Sequence, residues 1–370
     1  MNVGVPREIK KHEYRVGLTP SHAKVYTDAG HSVLVEDCAG EGTGFSNSEY
    51  LDAGAKIVTC KQTLFDESEM IIKVKEPLPE EYDLFHEGQI LFTYLHLAAD
   101  KTLTEALLKK KIVGIAYETI QLEDGSLPCL TPMSEIAGRL SVQEGAKYLE
   151  KSFGGRGVLL GGVPGVERGK VAIIGGGVVG TNAAKIAVGI GANVTILDLS
   201  AKRLGYLDDI FGSSLQTLYS NSDNIIKCLK EADLLIGAVL VPGAKAPKLV
   251  NREMLSHMKK GAVIVDVAVD QGGCFETTKP TSHDEPTFMV DGIVHYCVAN
   301  MPGAVALTST LALTSVTLEY GLKIAGLGWQ QALAEDRALQ KGLNMAGGKL
   351  CYEPVASSLG LPFELINDFT

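Results

Sequence analysis

The stretch VAIIGGGVVGTNAAKIAVGIGANVTILDLS, residues 171–200, restricts the fold of this chain more than any other segment. Val171–Ile174 is an apolar run of β-formers, Thr181–Ile190 carries Ala183, Ala184, Ala187 and Val188 at helical spacing, and Val194–Leu197 is a second apolar run. Strand, glycine turn, helix and strand make one complete βαβ unit. Gly175, Gly177 and Gly180 within it fit G-x-G-x-x-G, in which the first glycine permits a tight turn, the second lets backbone approach a pyrophosphate, and the third lets helix and strand pack closely. The pattern alone is common, and a purely structural βαβ unit is the plain alternative. Its place between a strand and a helix predicts a bound dinucleotide. Asp198 closes the second strand, where an acid accepts hydrogen bonds from ribose hydroxyls, so NAD is expected rather than NADP. Arg203 follows shortly after; with the acid retained, it is expected to stack on adenine or touch the ribose.

Apolar runs recur at Leu234–Val241 and Ala262–Val269, separated by the polar, helix-like NREMLSHMKK, and runs alternating with helices predict a parallel, doubly wound α/β sheet. The first 128 residues repeat this rhythm, with strands expected at Ser32–Glu36, Ala55–Val58, Met70–Val74, Gln89–Thr93 and Ile112–Ala116. Thr131-Pro132 reads as the start of a long helix reaching about Phe153, with Thr131 as N-cap. A second long helix is expected after Pro302. Two Rossmann-like domains joined by two long helices follow, with residues 1–128 plus 305–370 as the substrate domain and 129–304 as the dinucleotide-binding domain set into the middle of the chain.

Bulk properties remove other classes. The formal charge of −10 argues against broad binding to a phosphate backbone. The seven cysteines are scattered and never form C-x-x-C, which suits reduced thiols, a cytoplasmic location and no metal site. The N-terminus turns charged at once, so no secretion signal is expected. Residues 292–318 contain no Asp, Glu, Lys or Arg, which raises a membrane span, but Asn300, Pro302 and a cluster of Ser and Thr from Thr308 to Thr317 make a buried helix the better reading.

GVPREIKKHEYRVGLTP near the N-terminus, the GGGVVG turn and the later VANMPGAV together resemble the alanine dehydrogenase and pyridine-nucleotide transhydrogenase family, nearly end to end. His12 departs from that pattern, where asparagine is expected, while Glu13, Arg15 and Thr19-Pro20 keep to it. The resemblance implies NAD-dependent, reversible oxidative deamination of L-alanine to pyruvate and ammonium by a cytoplasmic homo-oligomer, a hexamer. It assigns Arg15 and Lys75 to the substrate, and His96 and Asp270 to catalysis. Around the cofactor it implies Ser134, Val178, Val179, Asp198, Arg203, Ser220, Val239, Leu240, Val267, Ala268, Val269, Asp270, Lys279, Val298, Ala299, Asn300 and Met301.

The chemistry of those residue types is suitable. Arginine offers a planar fork to a carboxylate, although an arginine in a charged segment is more often a solvated one. Lys75 follows the strand MIIKV at its C-terminal end, where open α/β sheets place ligands, while Lys73 alternates within that strand and is the decoy. His96 closes ILFTYLH; histidine suits proton exchange near neutral pH, but beside apolar residues it is more often a satisfied core group. Asp270 ends AVIVDVAVD, again at an expected strand end, and Asp266 within that run reads as structural. Tyr94, Leu130 and Met133 are candidates to narrow a pocket to a methyl group. The rival readings are the NAD-binding subunit of a transhydrogenase and a non-catalytic NAD sensor. The first would show an Arg-Ala-Gln motif where this chain reads TPMSEIAGRLSVQEGAKYL, and the second would not need Arg15, Lys75, His96 and Asp270 together.

Overall fold

The structure is a computed structural model describing residues 1–239 and 246–365. In chain order the strands are β1 (Asn2–Val5), β2 (Ser32–Glu36), β3 (Lys56–Val58), β4 (Met70–Ile72), β5 (Ile90–Thr93), β6 (Val113–Ala116), β7 (Lys170–Ile174), β8 (Asn193–Asp198), β9 (Leu215–Tyr219), β10 (Leu234–Gly237), β11 (Val263–Asp266), β12 (Thr287–Val290), β13 (Ile293–Tyr296), β14 (Leu343–Ala346) and β15 (Lys349–Leu350). The helices that matter here are α1 (Thr131–Tyr148), α2 (Val178–Gly189), α3 (Ala201–Phe211) and α4 (Ala306–Leu327). The chain divides into two compact units, one of residues 1–133 and 303–370 and one of residues 134–302.

The first unit holds an eight-stranded sheet in the order β15-β14-β6-β5-β4-β1-β2-β3, and the second a seven-stranded sheet in the order β12-β13-β11-β10-β7-β8-β9. Counting only the parallel strands of each unit, each sheet has the order 3-2-1-4-5-6 of a dinucleotide-binding fold, extended by antiparallel strands: β14 and β15 in the first and the edge strand β12 in the second. Both sheets therefore have a switch point, between β1 and β4 in one and between β7 and β10 in the other. The central strands are buried on both faces, as parallel strands covered by helices must be, and this is why they read as unbroken apolar runs.

The departures from the sequence reading are physical. β11 stops at Asp266, so Val267–Asp270 is a turn after the strand and not its end, because the Asp266 carboxylate draws the chain round by accepting from the Ala268 and Cys274 amides and the Thr278 hydroxyl. Thr131 is inside α1, and its hydroxyl donates back to the Leu127 carbonyl instead of capping; the helix ends at Tyr148, with Lys151–Phe153 a separate 3₁₀ turn. NREMLSHMKK forms one helical turn, Arg252–Leu255. Edge strand β9 is partly exposed and alternates weakly, so periodicity misses it. The β12–β13 hairpin turns on Asp291-Gly292 and the β14–β15 hairpin on Gly347-Gly348, all four at positive φ. Asp-Gly and Gly-Gly are the usual residues of such two-residue turns, a signal that was present in the sequence.

Helix α4, with the turn before it, is long and apolar enough to cross a bilayer by composition, at a mean hydropathy of 1.4, but half of that window is buried inside the protein. Ser309, Thr310, Thr314 and Thr317 lie on its buried side, which suits a core helix whose hydroxyls find partners in the helix backbone and in the loop that follows β1.

Candidate active site

In the first unit, the loops leaving the C-terminal ends of β1, β4, β5 and β6 carry every substrate or proton-transfer residue expected there. Arg15 follows β1 and Lys75 follows β4, so these two flank the switch point of that sheet, and His96 follows the adjoining strand β5. Glu8 ties two of these loops together. One of its oxygens accepts from the Val74 amide (2.7 Å) and the Lys75 amide (3.2 Å), and the other lies 3.1 Å from the Lys73 ammonium. Lys73, fully buried, also pairs with Glu81 at 3.0 Å. Its work is to hold the loop that presents Lys75, and the Thr93 hydroxyl donating to the Lys75 carbonyl fixes the same loop from β5.

Arg15 is almost fully buried, and its fork is engaged by Glu13: Nε and Nη2 each donate at 2.6 Å to one carboxylate oxygen. Burial opposes its charge, yet this bidentate pair raises its pKa. The fork read from the sequence as a bidentate substrate anchor is thus engaged by a neighbour, and Nη1 donates to Met133 Sδ at 3.1 Å. Lys75 has the opposite balance. Burial and the nearby charges of Arg15 and Lys10 outweigh Glu76 and depress its ammonium below the usual lysine range.

His96 has left-handed backbone, φ 48 and ψ 32, a strained region for a residue with a side chain. A carboxylate holds it there: Glu118, just beyond β6, accepts from the His96 amide at 2.7 Å and from the Leu95 amide at 3.1 Å. The ring's Nδ1 lies 3.3 Å from Glu76 Oε2. Glu8, Glu76 and Glu118 were not singled out in the sequence, and Glu13 was noted only as part of the N-terminal motif; the signal was charged residues adjoining the strand ends.

In the second unit the glycine turn has the geometry expected of it. Gly175 has φ 104, which only glycine adopts without strain. A Cβ on Gly177 would meet open space, whereas one on Gly180 would lie 1.8 Å from the Gly175 carbonyl oxygen. Gly177 is the N-cap of α2 and supplies no side-chain cap, and a Cβ there would meet nothing within 4 Å, so the start of that helix is suited to an anion. Asp198 accepts from the Gly176 amide (2.7 Å) and the Ser200 amide (2.8 Å), and Arg203 donates to the Gly176 carbonyl and, at 2.6 Å, to the Thr181 hydroxyl. Acid and base therefore grip the turn from its two sides. Arg203 also stacks on Tyr206, 4.7 Å from the ring centre, so it serves first as a brace for the turn. A pyrophosphate fits these donors.

The C-terminal edge of the same sheet gathers Val178 and Val179 after β7, Ser220 after β9, Val239 after β10, Val267, Ala268, Val269 and Asp270 after β11, and Val298, Ala299, Asn300 and Met301 after β13. Asp270 is exposed in a 3₁₀ turn. Ser134 lies one turn before Gly138 of α1, where a Cβ would be 2.2 Å from the Val179 carbonyl, so α1 meets the start of α2 closely. Lys279 is exposed with its ammonium over the Phe288 ring, away from the glycine turn in its contacts. Leu240 lies outside the described residues.

Gly180→Ala tests the turn. The added methyl meets backbone, which cannot swing aside, so overpacking should cost about 1–3 kcal/mol and weaken NADH binding with it. Fluorescence titration with NADH reads this directly; unchanged affinity would mean that the turn does not hold the pyrophosphate.

Comparison with known proteins agrees with this geometry. Residues 4–137 match the family description "Alanine dehydrogenase/PNT, N-terminal domain" and residues 141–353 match "Alanine dehydrogenase/PNT, C-terminal domain". The chain is 61% identical to an alanine dehydrogenase of Methanococcus maripaludis, covering 98% of each chain, and 58% identical to one of Bacillus subtilis, covering 98% of this chain and 96% of that one. Among solved structures, an L-alanine dehydrogenase superposes with a TM-score of 0.94 at 56% identity, covering 97% of this chain and 99% of that one. A transhydrogenase from Sinorhizobium meliloti shares the fold, with a TM-score of 0.82 at 22% identity over 95% of this chain and 99% of that one.

Proposed function

Because the chain belongs to the alanine dehydrogenase/PNT family, we propose that it catalyses the reversible, NAD-dependent oxidative deamination of L-alanine to pyruvate and ammonium. The observation that carries this reading is the gathering of Arg15, Lys75 and His96 at the C-terminal ends of the neighbouring strands β1, β4 and β5, at and beside the switch point of the first sheet.

NAD, held by the glycine turn and Asp198, would supply the acceptor for the hydride of the substrate Cα, and the protein's residues do the rest. Lys75 and Arg15 hold the carboxylate, a job for which a lysine set deep at a strand end and an arginine locked by Glu13 lose little freedom on binding. His96 exchanges the proton of the amine, the carbinolamine or the carbonyl oxygen. Asp270 orients water toward the imine. Tyr94, whose hydroxyl is fixed to the Cys129 carbonyl at 2.6 Å, and Met133, against Arg15, keep the substrate side chain small. A homo-oligomer, a hexamer as the family resemblance implies, and a cytoplasmic location complete the proposal, the latter consistent with seven free cysteines.

The test is a screen of glycine, alanine, serine, 2-aminobutyrate and lysine with NAD, and of pyruvate plus ammonium with NADH. Preference for alanine is expected. Tight NADH binding with no turnover on any of them would make the protein a sensor.

Cofactor choice follows from Asp198, whose carboxylate should accept the ribose hydroxyls of NAD and repel the 2′-phosphate of NADP. Asp198→Ala should raise the ratio of kcat/KM for NADP over NAD by at least about tenfold, since charges at contact interact by a few kcal/mol before solvent screens them. It should also lower NAD use, because the Gly176 amide loses its acceptor. A ratio that does not move toward NADP would remove Asp198 from the ribose site.

A further inference from the structure

The geometry points to Glu76 as the positioning residue for His96, a carboxylate that fixes the imidazole's tautomer and so decides which ring nitrogen meets the substrate. This rests on the reading of His96 as the proton-transfer group.

Glu76 Oε2 and His96 Nδ1 are both fully buried atoms, and among the described residues neither has a well-aligned hydrogen bond with any partner. They face each other at 3.3 Å. Two buried polar atoms that lack any other partner and lie this close are each other's partner, in a contact that needs only a small rotation to align; such bonds are often long before substrate binds. The His96 side chain is 39% exposed although its Nδ1 is buried, which points to the edge that carries Nε2 as the open one. A carboxylate can only accept, so the neutral ring must place its proton on Nδ1. Nε2 is then left with its lone pair on the open edge, ready to take a proton from the substrate and, once protonated, to return it.

Glu76 is equipped to remain a carboxylate. Burial works against its charge, but the contact with His96 and the charges of Lys75, His96 and Lys10 hold it well below the usual carboxylate range, and its other oxygen is bonded to Lys10. Glu118 binds the backbone amides of Leu95 and His96, while the Tyr94 ring lies 5.9 Å away. Backbone and ring are thus set by two different carboxylates, Glu118 for the left-handed turn and Glu76 for the proton.

The experiment compares Glu76→Gln and Glu76→Asp with the parent and with His96→Ala. Losing the partner that sets a histidine's tautomer costs on the order of 10–100-fold where that histidine binds a metal, and a similar fall in kcat is expected for Glu76→Gln with NADH affinity retained. A merely structural role would not move the pH behaviour. Removing a negative charge beside an imidazole makes its protonation harder, so the limb of the kcat/KM profile that reports the ring should move to lower pH. The pH dependence of His96 carbethoxylation by diethyl pyrocarbonate, read by peptide mass spectrometry, should move the same way and needs no turnover. Glu76→Asp keeps the charge on a shorter arm; it should lower kcat with less displacement of the profile, and it serves if the glutamine variant does not fold. Glutamine or aspartate variants with kcat within about threefold of the parent and unmoved profiles would overturn the assignment of Glu76. If His96→Ala also kept its activity, the fault would lie in the role given to His96; if only His96→Ala were inactive, it would lie in Glu76 alone.

Discussion

Replacing His96 with alanine should lower kcat by about 10²–10⁴-fold, the usual contribution of one positioned acid or base, while NADH binding stays near the parent value. The reason lies in where the ring is held. Glu118 fixes the backbone of His96 in a left-handed turn and Glu76 faces Nδ1, so one edge of the imidazole is committed and the other is open. The binding contacts proposed for the substrate belong to Arg15 and Lys75 and those for the nucleotide to the glycine turn, none of which passes through the ring. Steady-state kinetics in both directions, together with NADH titration, checks the separation. Activity within a few-fold of the parent would return His96 to the alternative reading of a structural histidine with no part in proton transfer.

Replacing Lys73 with methionine should be the most damaging change to folding. Lys73 is fully buried between Glu8 and Glu81, themselves nearly inaccessible, and removing one partner of a buried pair typically costs about 3–5 kcal/mol because the opposite charge stays behind unpaired. For a unit of this size that corresponds to a fall in Tm of roughly 6–20 °C. The pH dependence has a definite sign. Burial raises the Glu8 carboxyl and Lys73 opposes that rise, so without Lys73 the folded-state value climbs further. A carboxyl whose folded pKa is raised contributes stability at low pH and loses it as pH rises through its titration, so the deficit should be larger at pH 8 than at pH 5. In the parent, Lys73 is itself raised; its contribution is complete below the unfolded lysine value of about 10.4 and is lost as pH rises through the folded one. Thermal unfolding of parent and variant at pH 5 and pH 8 measures this. An unchanged Tm at pH 8 would mean that the two glutamates are held by something other than the ammonium. Activity should fall as well, since Glu8 also holds the amide of Lys75.

Lys73 and Lys75 show how far the sequence reaches. β4 itself stops at Ile72; position along MIIKV sets Lys73 inside the run and Lys75 just past its end, but it presents Lys73 as a mere decoy. Its role depends on Glu8 from the loop after β1 and on Glu81, groups that only the sheet order brings together. Arg15 is a sharper instance. Arginine chemistry alone predicts a free fork for a carboxylate, and Glu13, two residues away, fills that fork with a buried bidentate pair. Arg203 likewise reads as a contact to adenine or ribose, and is found bracing the glycine turn.

By itself the sequence determined the parts governed by local rules. Buried parallel strands must be continuously apolar, a pyrophosphate turn must carry glycine where backbone or ligand leaves no room for a Cβ, and an acid must close the second strand; each of these is written in residues a few positions apart. The doubly wound fold, the glycine turn, Asp198 and the placement of Lys75 and His96 at strand ends were legible for that reason. The tertiary structure alone decided where each charge finds its counter-charge. Glu8 with Lys73, Glu76 with His96 Nδ1 and Glu118 with the His96 backbone join residues from different strand ends, and a carboxylate's partner depends on distance and burial in space, which periodicity along the chain does not encode.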